Sequence, residues 1–157
     1  MAVRLSRALK GPKELPVGLG VTFQFKPFGF AQYREAQAWA QREAREQLTG
    51  AQRAALAGRE IDELGDEFED RLIGLASEMH LDRIVTQFCI GWDGVLIGET
   101  DEDAEPLSFS PANWEMLREQ APLLADLLDR RLQAPMHAVV TEGNGSALLP
   151  DTDTPEG

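Results

Sequence analysis

The sequence predicts a mainly α-helical protein with a short N-terminal β-strand or hairpin and a disordered C-terminal tail. Three observations predict it. Between residues 30 and 135, stretches rich in Ala, Glu, Gln and Arg repeat their apolar residues at helical spacing. One stretch, Val21-Thr22-Phe23-Gln24-Phe25-Lys26, alternates apolar and polar residues as a half-buried strand does. From Thr141 onward the chain is mostly Gly, Ser, Asn, Asp, Thr and Pro and has little to bury. At 157 residues a single domain is expected over residues 1–141. It would comprise an N-terminal β segment (1–27) and a helical body (30–135), followed by a disordered tail (142–157).

Gly11, Pro12, Pro16, Gly18 and Gly20 mark residues 11–20 as a turn-rich connection. The strand at Val21 must stop at Pro27, which has no amide to donate. A lone strand is not stable, so it should pair with residues near 2–6, where Val3 and Leu5 lie, or with another subunit. Tyr33, Ala36, Ala40, Ala44 and Leu48 then share one helical face, with Trp39 beside them. Thr49-Gly50 reads as a stop, with a second short helix at Ala51–Ala57. Ile61, Leu64, Phe68, Leu72, Leu75 and Met79 form the strongest helical stripe. Beyond His80 the apolar face moves to Leu81, Ile84, Val85 and Phe88. No Gly or Pro marks a break there, so one long helix should run into Cys89-Ile90 and stop at Gly91. A loop over 93–109 follows. Ser110 is a good N-cap and Pro111 a good first helical residue. Trp114, Leu117 and Ala121 line that helix, and Pro122 ends it and opens the next. Leu124, Leu127, Leu128 and Leu132 are that last helix's stripe, closed by Pro135.

The net charge of −12 is uneven. Residues 1–26 carry Arg4, Arg7, Lys10, Lys13 and Lys26 against Glu14, a net of +4, which leaves −16 for the remainder. An acidic body of this kind repels nucleic acid and anionic membrane surfaces, and neither is an expected partner. The lone Cys89 permits no intramolecular disulfide and no Cys-based zinc site. No apolar run approaches the length that spans a bilayer, and no apolar stretch follows the N-terminal charges as a secretory signal requires.

Motifs with catalytic meaning are missing from the sequence: there is no Gly-x-Ser-x-Gly and no P-loop. Neither His80 nor His137 has a partner at metal-binding spacing. Asp101, Asp103 and Glu105 alternate like the start of an EF-hand loop, but Pro106 stands where the turn needs Gly. Ala112 stands where a bidentate Glu is needed. The expected state is a solvated acidic loop, with no metal and no cofactor. Trp92 and Trp114 flank this loop, with Gly94 making its turn and Val95 beside it. Two readings stand for Trp92, Gly94, Val95 and Trp114: a structural anchor that closes the loop, or an aromatic contact for a partner.

The order Phe88-x-Ile90-x-Trp92-Asp93-Gly94-Val95, acidic loop, Leu107-x-Phe109-Ser110-Pro111-x-Asn113, Leu117, Pro122 resembles the tail assembly chaperones of long-tailed bacteriophages and prophages. That family reads as an aliphatic residue, a spacer, Trp-Asp/Glu-Gly-Val, an acidic loop, then Ser/Thr-Pro-Glu-Asn and Leu-x4-Pro. An upstream aromatic strand (Val21–Phe25), an Ala-rich helix and a tail with Gly143-Asn144-Gly145-Ser146 extend the similarity over residues 20–146. The chain departs from the pattern at Ala112, where Glu is common, at Gly143, where Lys is usual, and in lacking a Gly after Asp in the acidic loop. The resemblance implies a non-enzymatic assembly factor of the bacterial host cytoplasm. It would bind the tape measure protein before the tail tube polymerises, with the tail tube protein and self-association as further contacts. The alternative is a structural tail or head–tail connector component retained in the particle.

Overall fold

The computed structural model describes Ala2, residues 13–55 and residues 65–133, with the side chains of 51–55, 65 and 66 left aside. Residues 3–6 of the strand expected near 2–6, Ile61, Leu64, Pro135, His137 and the tail over 142–157 lie outside the described residues. The fold is mainly helical with a small antiparallel sheet, and it opens on an N-terminal hairpin as predicted. The chain divides into two compact units, one of Met1–Pro27 with Ile90–Gly157 and one of Phe28–Cys89.

In the first unit, strand β1 (Lys13–Gly18) pairs antiparallel with β2 (Val21–Phe25). This corrects the reading of 11–20 as a connection. It also corrects the pairing expected for β2, which takes its neighbours from residues 13–18 and from β3 (Cys89–Asp93). Pro16 had argued against a strand, but β1 is an edge, where a missing amide costs nothing in the ladder. The Pro16 carbonyl accepts a hydrogen bond from Arg131 Nε at 3.0 Å. The turn places Leu19 and Gly20 at φ 57° and 77°, the signs a type I′ hairpin turn requires. Register shifts between Pro16 and Gly18, leaving Val17 as an extra residue, and Leu15 and Val17 are both buried.

The second unit is a helical hairpin of α1 (Phe30–Ala55) and α2 (Gly65–Phe88). Tyr33, Ala36, Ala40 and Ala44 are buried along one face of α1, as the spacing predicts. Small side chains there admit the larger ones of α2: Ala44 packs in a cluster with Phe68, Leu72 and Ala76, flanked by Leu48, Leu75 and Met79. Burying Phe68 and Leu72 is worth about 1.5–3 kcal/mol each. Tyr33 stands edge-on to the buried His80 at 4.7 Å, and Phe28 stacks on Phe88 at 4.7 Å where the hairpin opens and closes. The helices therefore run antiparallel. Gly50 does not stop α1, which continues to Ala55; one exposed interior Gly costs about 1 kcal/mol relative to Ala, too little to end a helix of this length. The change of apolar face at His80 does not break α2, as expected, and Leu81, Ile84, Val85 and Phe88 are buried. The helix ends at Phe88 rather than Gly91, because Cys89-Ile90-Gly91-Trp92-Asp93 joins the sheet as β3.

Past β3, the expected loop holds a short ribbon, β4 (Leu96–Ile97) paired antiparallel with β5 (Glu105–Pro106). Helix α3 (Pro111–Gln120) starts as predicted, with Ser110 as its N-cap and Pro111 in its first turn. Ala121 caps it, the Ala121 amide donating to Leu117 O at 2.8 Å. The Ala121 carbonyl then accepts from Leu124 at 3.0 Å, opening α4, helical over residues 122–133. Leu124, Leu128 and Leu132 of α4 are buried, matching the predicted stripe. Among the described residues no helix is long and apolar enough to cross a membrane.

Candidate functional site

The stretch that carries the resemblance folds within the first unit around aromatic side chains. Alternation along β2 puts Phe23 and Phe25 on one face of the sheet, and both are buried. Trp92 on β3 meets Phe23 edge to face at 5.8 Å and 89°. Phe109 also meets Trp92, at 5.2 Å and 85°. Trp114 on α3 meets Phe23 at 6.1 Å and 80°. Each edge-to-face pair adds about 0.5–1.5 kcal/mol beyond the area it buries. Trp92 is 7% and Trp114 2% exposed, so both indoles are packed inside this unit.

Polar groups then fix the base of the ribbon. Trp92 Nε1–H donates to the Leu107 carbonyl at 2.6 Å, and the Leu107 amide donates to the Val95 carbonyl at 2.9 Å. Val95 is buried beside them. On the outer face of the sheet, Gln24 Nε2 donates to Asp93 Oδ2 at 3.1 Å. Gly94 has φ +87°, and a Cβ there would meet the Gly20 carbonyl oxygen at 2.0 Å. The turn of the β1–β2 hairpin and the turn after β3 touch at this glycine, backbone against backbone.

The Ser110-Pro111-Ala112-Asn113 segment does equally specific work. Ser110 Oγ accepts from the Asn113 amide at 3.0 Å, and Asn113 Nδ2 donates back to the Ser108 carbonyl at 2.8 Å. Asn113 thereby clasps the residues that lead into the helix, while Ala112 is exposed. Among the described residues no group of His, Cys, Asp or Glu is arranged to hold a metal ion.

Compared with protein families, curated proteins and solved structures, the chain finds no match in any of the three.

The four residues singled out from sequence thus fall in one unit: Trp92 and Val95 meet Leu107 at the base of the β4–β5 ribbon, Gly94 abuts the β1–β2 turn, and Trp114 shares Phe23 with Trp92. Phe23, Phe109 and the Leu107 carbonyl complete that base and were not visible as partners in the sequence. The surface above it is different. Leu96 is 60% and Ile97 46% exposed. Asp93, Glu99, Asp101, Glu102, Asp103 and Glu105 are all exposed, and residues 90–117 contain no Lys or Arg. The ribbon is held in shape at its tip, where the Asp103 amide donates to the Thr100 carbonyl at 3.2 Å and lies 3.3 Å from Thr100 Oγ1. The arrangement is an acidic projection, braced at its base and tip, with the aliphatic side chains of Leu96 and Ile97 in water.

Proposed function

We propose that this chain is a tail assembly chaperone of a long-tailed bacteriophage or prophage. It is a non-enzymatic protein of the bacterial host cytoplasm that binds the tape measure protein during tail morphogenesis, with the tail tube protein as a further contact. The observation that carries the proposal is the ordered pattern from Phe88 to Pro122: Trp92-Asp93-Gly94-Val95, an acidic loop, Ser110-Pro111-x-Asn113, then Leu117 and Pro122. The charge distribution supports it. A body of −16 outside residues 1–26 keeps a complex with long amphipathic helices in solution by mutual repulsion.

Co-expression with the tape measure protein encoded nearby in the same genome tests the proposal. The expected result is a larger soluble fraction of that protein and its co-purification with this chain. Unchanged solubility with no co-purification refutes it. Mass spectrometry of purified particles supplies a second test. Presence of this chain in fixed ratio to the tube protein would replace the chaperone with a structural tail or head–tail connector component.

A further inference from the structure

One face of the β4–β5 ribbon carries an exposed apolar pair. Leu96 and Pro106 are cross-strand partners, so their side chains stand side by side on that face. Just beyond the ribbon's last pair the backbones of Gly98 and Ala104 approach closely: a Cβ on Gly98 would meet Ala104 Cα at 2.9 Å. Leu96 and Pro106 are exposed. Beyond the ribbon's outer end come Glu99, Asp101, Glu102 and Asp103, all exposed. A ribbon whose only role was to link β3 to α3 would be expected to carry Thr, Lys or Glu at the Leu96 position, because strands facing water alternate with polar residues.

We propose that this face, Leu96 and Pro106 with the carboxylates of residues 99–103 at its end, docks a cationic amphipathic helix of a partner protein. The helix lays its apolar stripe on Leu96 and Pro106 and directs Lys or Arg side chains to Glu99, Asp101, Glu102 and Asp103. Charge complementarity fixes the sign of the partner. With no Lys or Arg in residues 90–117, an acidic helix is repelled by the rim and a neutral one gains nothing from it. The braced backbone lowers the ordering cost of binding. The inference adds a surface and a partner chemistry to the proposed function and holds for any partner bearing such a helix.

The test is a titration of the full-length, isotope-labelled chain with a synthetic Leu/Lys amphipathic helix of about five turns, followed by amide chemical shifts. Shifts concentrated at residues 95–108 are expected. Leu96→Ser should weaken binding about tenfold, since it removes an aliphatic contact from the interface without touching the charges. The matching Leu/Glu peptide should not bind. Shifts spread over the acidic surfaces of α1 and α2, or an unchanged affinity in Leu96→Ser, would mean unspecific charge attraction and overturn the proposal. Repeating the co-expression with Leu96→Ser separates this inference from the chaperone reading. Loss of tape measure solubilisation in the variant supports both. Full solubilisation by the variant sinks the ribbon as the docking face and leaves the chaperone standing. If the wild type takes up the peptide at the ribbon yet fails to solubilise the tape measure protein, the chaperone reading falls alone.

Discussion

Replacing Gly94 by Ala adds one methyl group, and the structure says where it goes. At φ +87° any residue with a Cβ is strained by about 1–2 kcal/mol. In addition the new carbon would lie 2.0 Å from the Gly20 oxygen, 2.9 Å from the Gly20 carbonyl carbon and 3.2 Å from Val21 Cα. All three atoms are backbone, so no side chain can rotate away, and the two turns must separate. Overpacking of this kind costs about 1–3 kcal/mol, for a total of about 2–5 kcal/mol. Gly20→Ala is the control, because Gly20 has φ +77° but no atom within 4 Å of the added carbon. It should cost only the backbone term, about 1–2 kcal/mol. Urea unfolding followed by tryptophan fluorescence measures both. A Trp39→Phe background removes the indole of the helical hairpin, so that Trp92 and Trp114 report on the sheet unit. With a slope of about 2 kcal/mol per molar urea, Gly94→Ala should lower the midpoint by about 1–2.5 M. Equal costs for the two variants would refute the close approach of the two turns.

Three further substitutions follow from the same geometry. Trp92→Ala should cost about 3–5 kcal/mol in the same urea assay, because it removes the ring that contacts both Phe23 and Phe109 and orphans the Leu107 carbonyl. Asp101→Asn, Glu102→Gln and Asp103→Asn together should leave the urea midpoint within the error of the wild type, since all three side chains are exposed and surface changes stay within about 0.5 kcal/mol. Unfolding of that triple variant would mean the carboxylates are part of the ribbon's structure. Gly74→Ala, on an exposed position of α2 with nothing within 4 Å, should raise the thermal midpoint of the helical hairpin through a gain of about 0.5–1 kcal/mol.

Helices were legible in the sequence because their signal is local and repeated. Tyr33, Ala36, Ala40 and Ala44 declare one face of α1, and Ser110-Pro111 declares the start of α3. Short strands were not legible. Pro16 concealed β1, although Leu15 and Val17 flank it as apolar neighbours and Gly18 and Gly20 frame the turn. Strand β3 was hidden in a continuous apolar run from the helix, Phe88-Cys89-Ile90, where no break residue separates the two states. Strands β4 and β5 have two residues each, too few for alternation to register. The candidate site divides in the same way. Trp92, Gly94, Val95 and Trp114 could be selected by residue type and spacing. That Phe23 would be the surface they close on depends on pairing across more than sixty residues of chain, which no local pattern encodes.

The second unit is inserted between two neighbouring strands of the sheet: β2 ends at Phe25, β3 begins at Cys89, and the helical hairpin fills the interval. This topology orders the folding reaction. Joining β2 to β3 through an unstructured connection of about sixty residues would carry a closure penalty of about 4 kcal/mol from the (3/2)RT ln n term. The helical hairpin removes most of that penalty if it forms first, because its antiparallel helices and the Phe28–Phe88 stack bring the two chain ends together before any strand has paired. The β1–β2 ribbon, although made first on the ribosome, must then wait for α2 to be completed before Trp92 can reach Phe23. Substitutions that weaken the helical hairpin, such as Phe88→Ala, should therefore slow formation of the sheet unit more than they speed its unfolding.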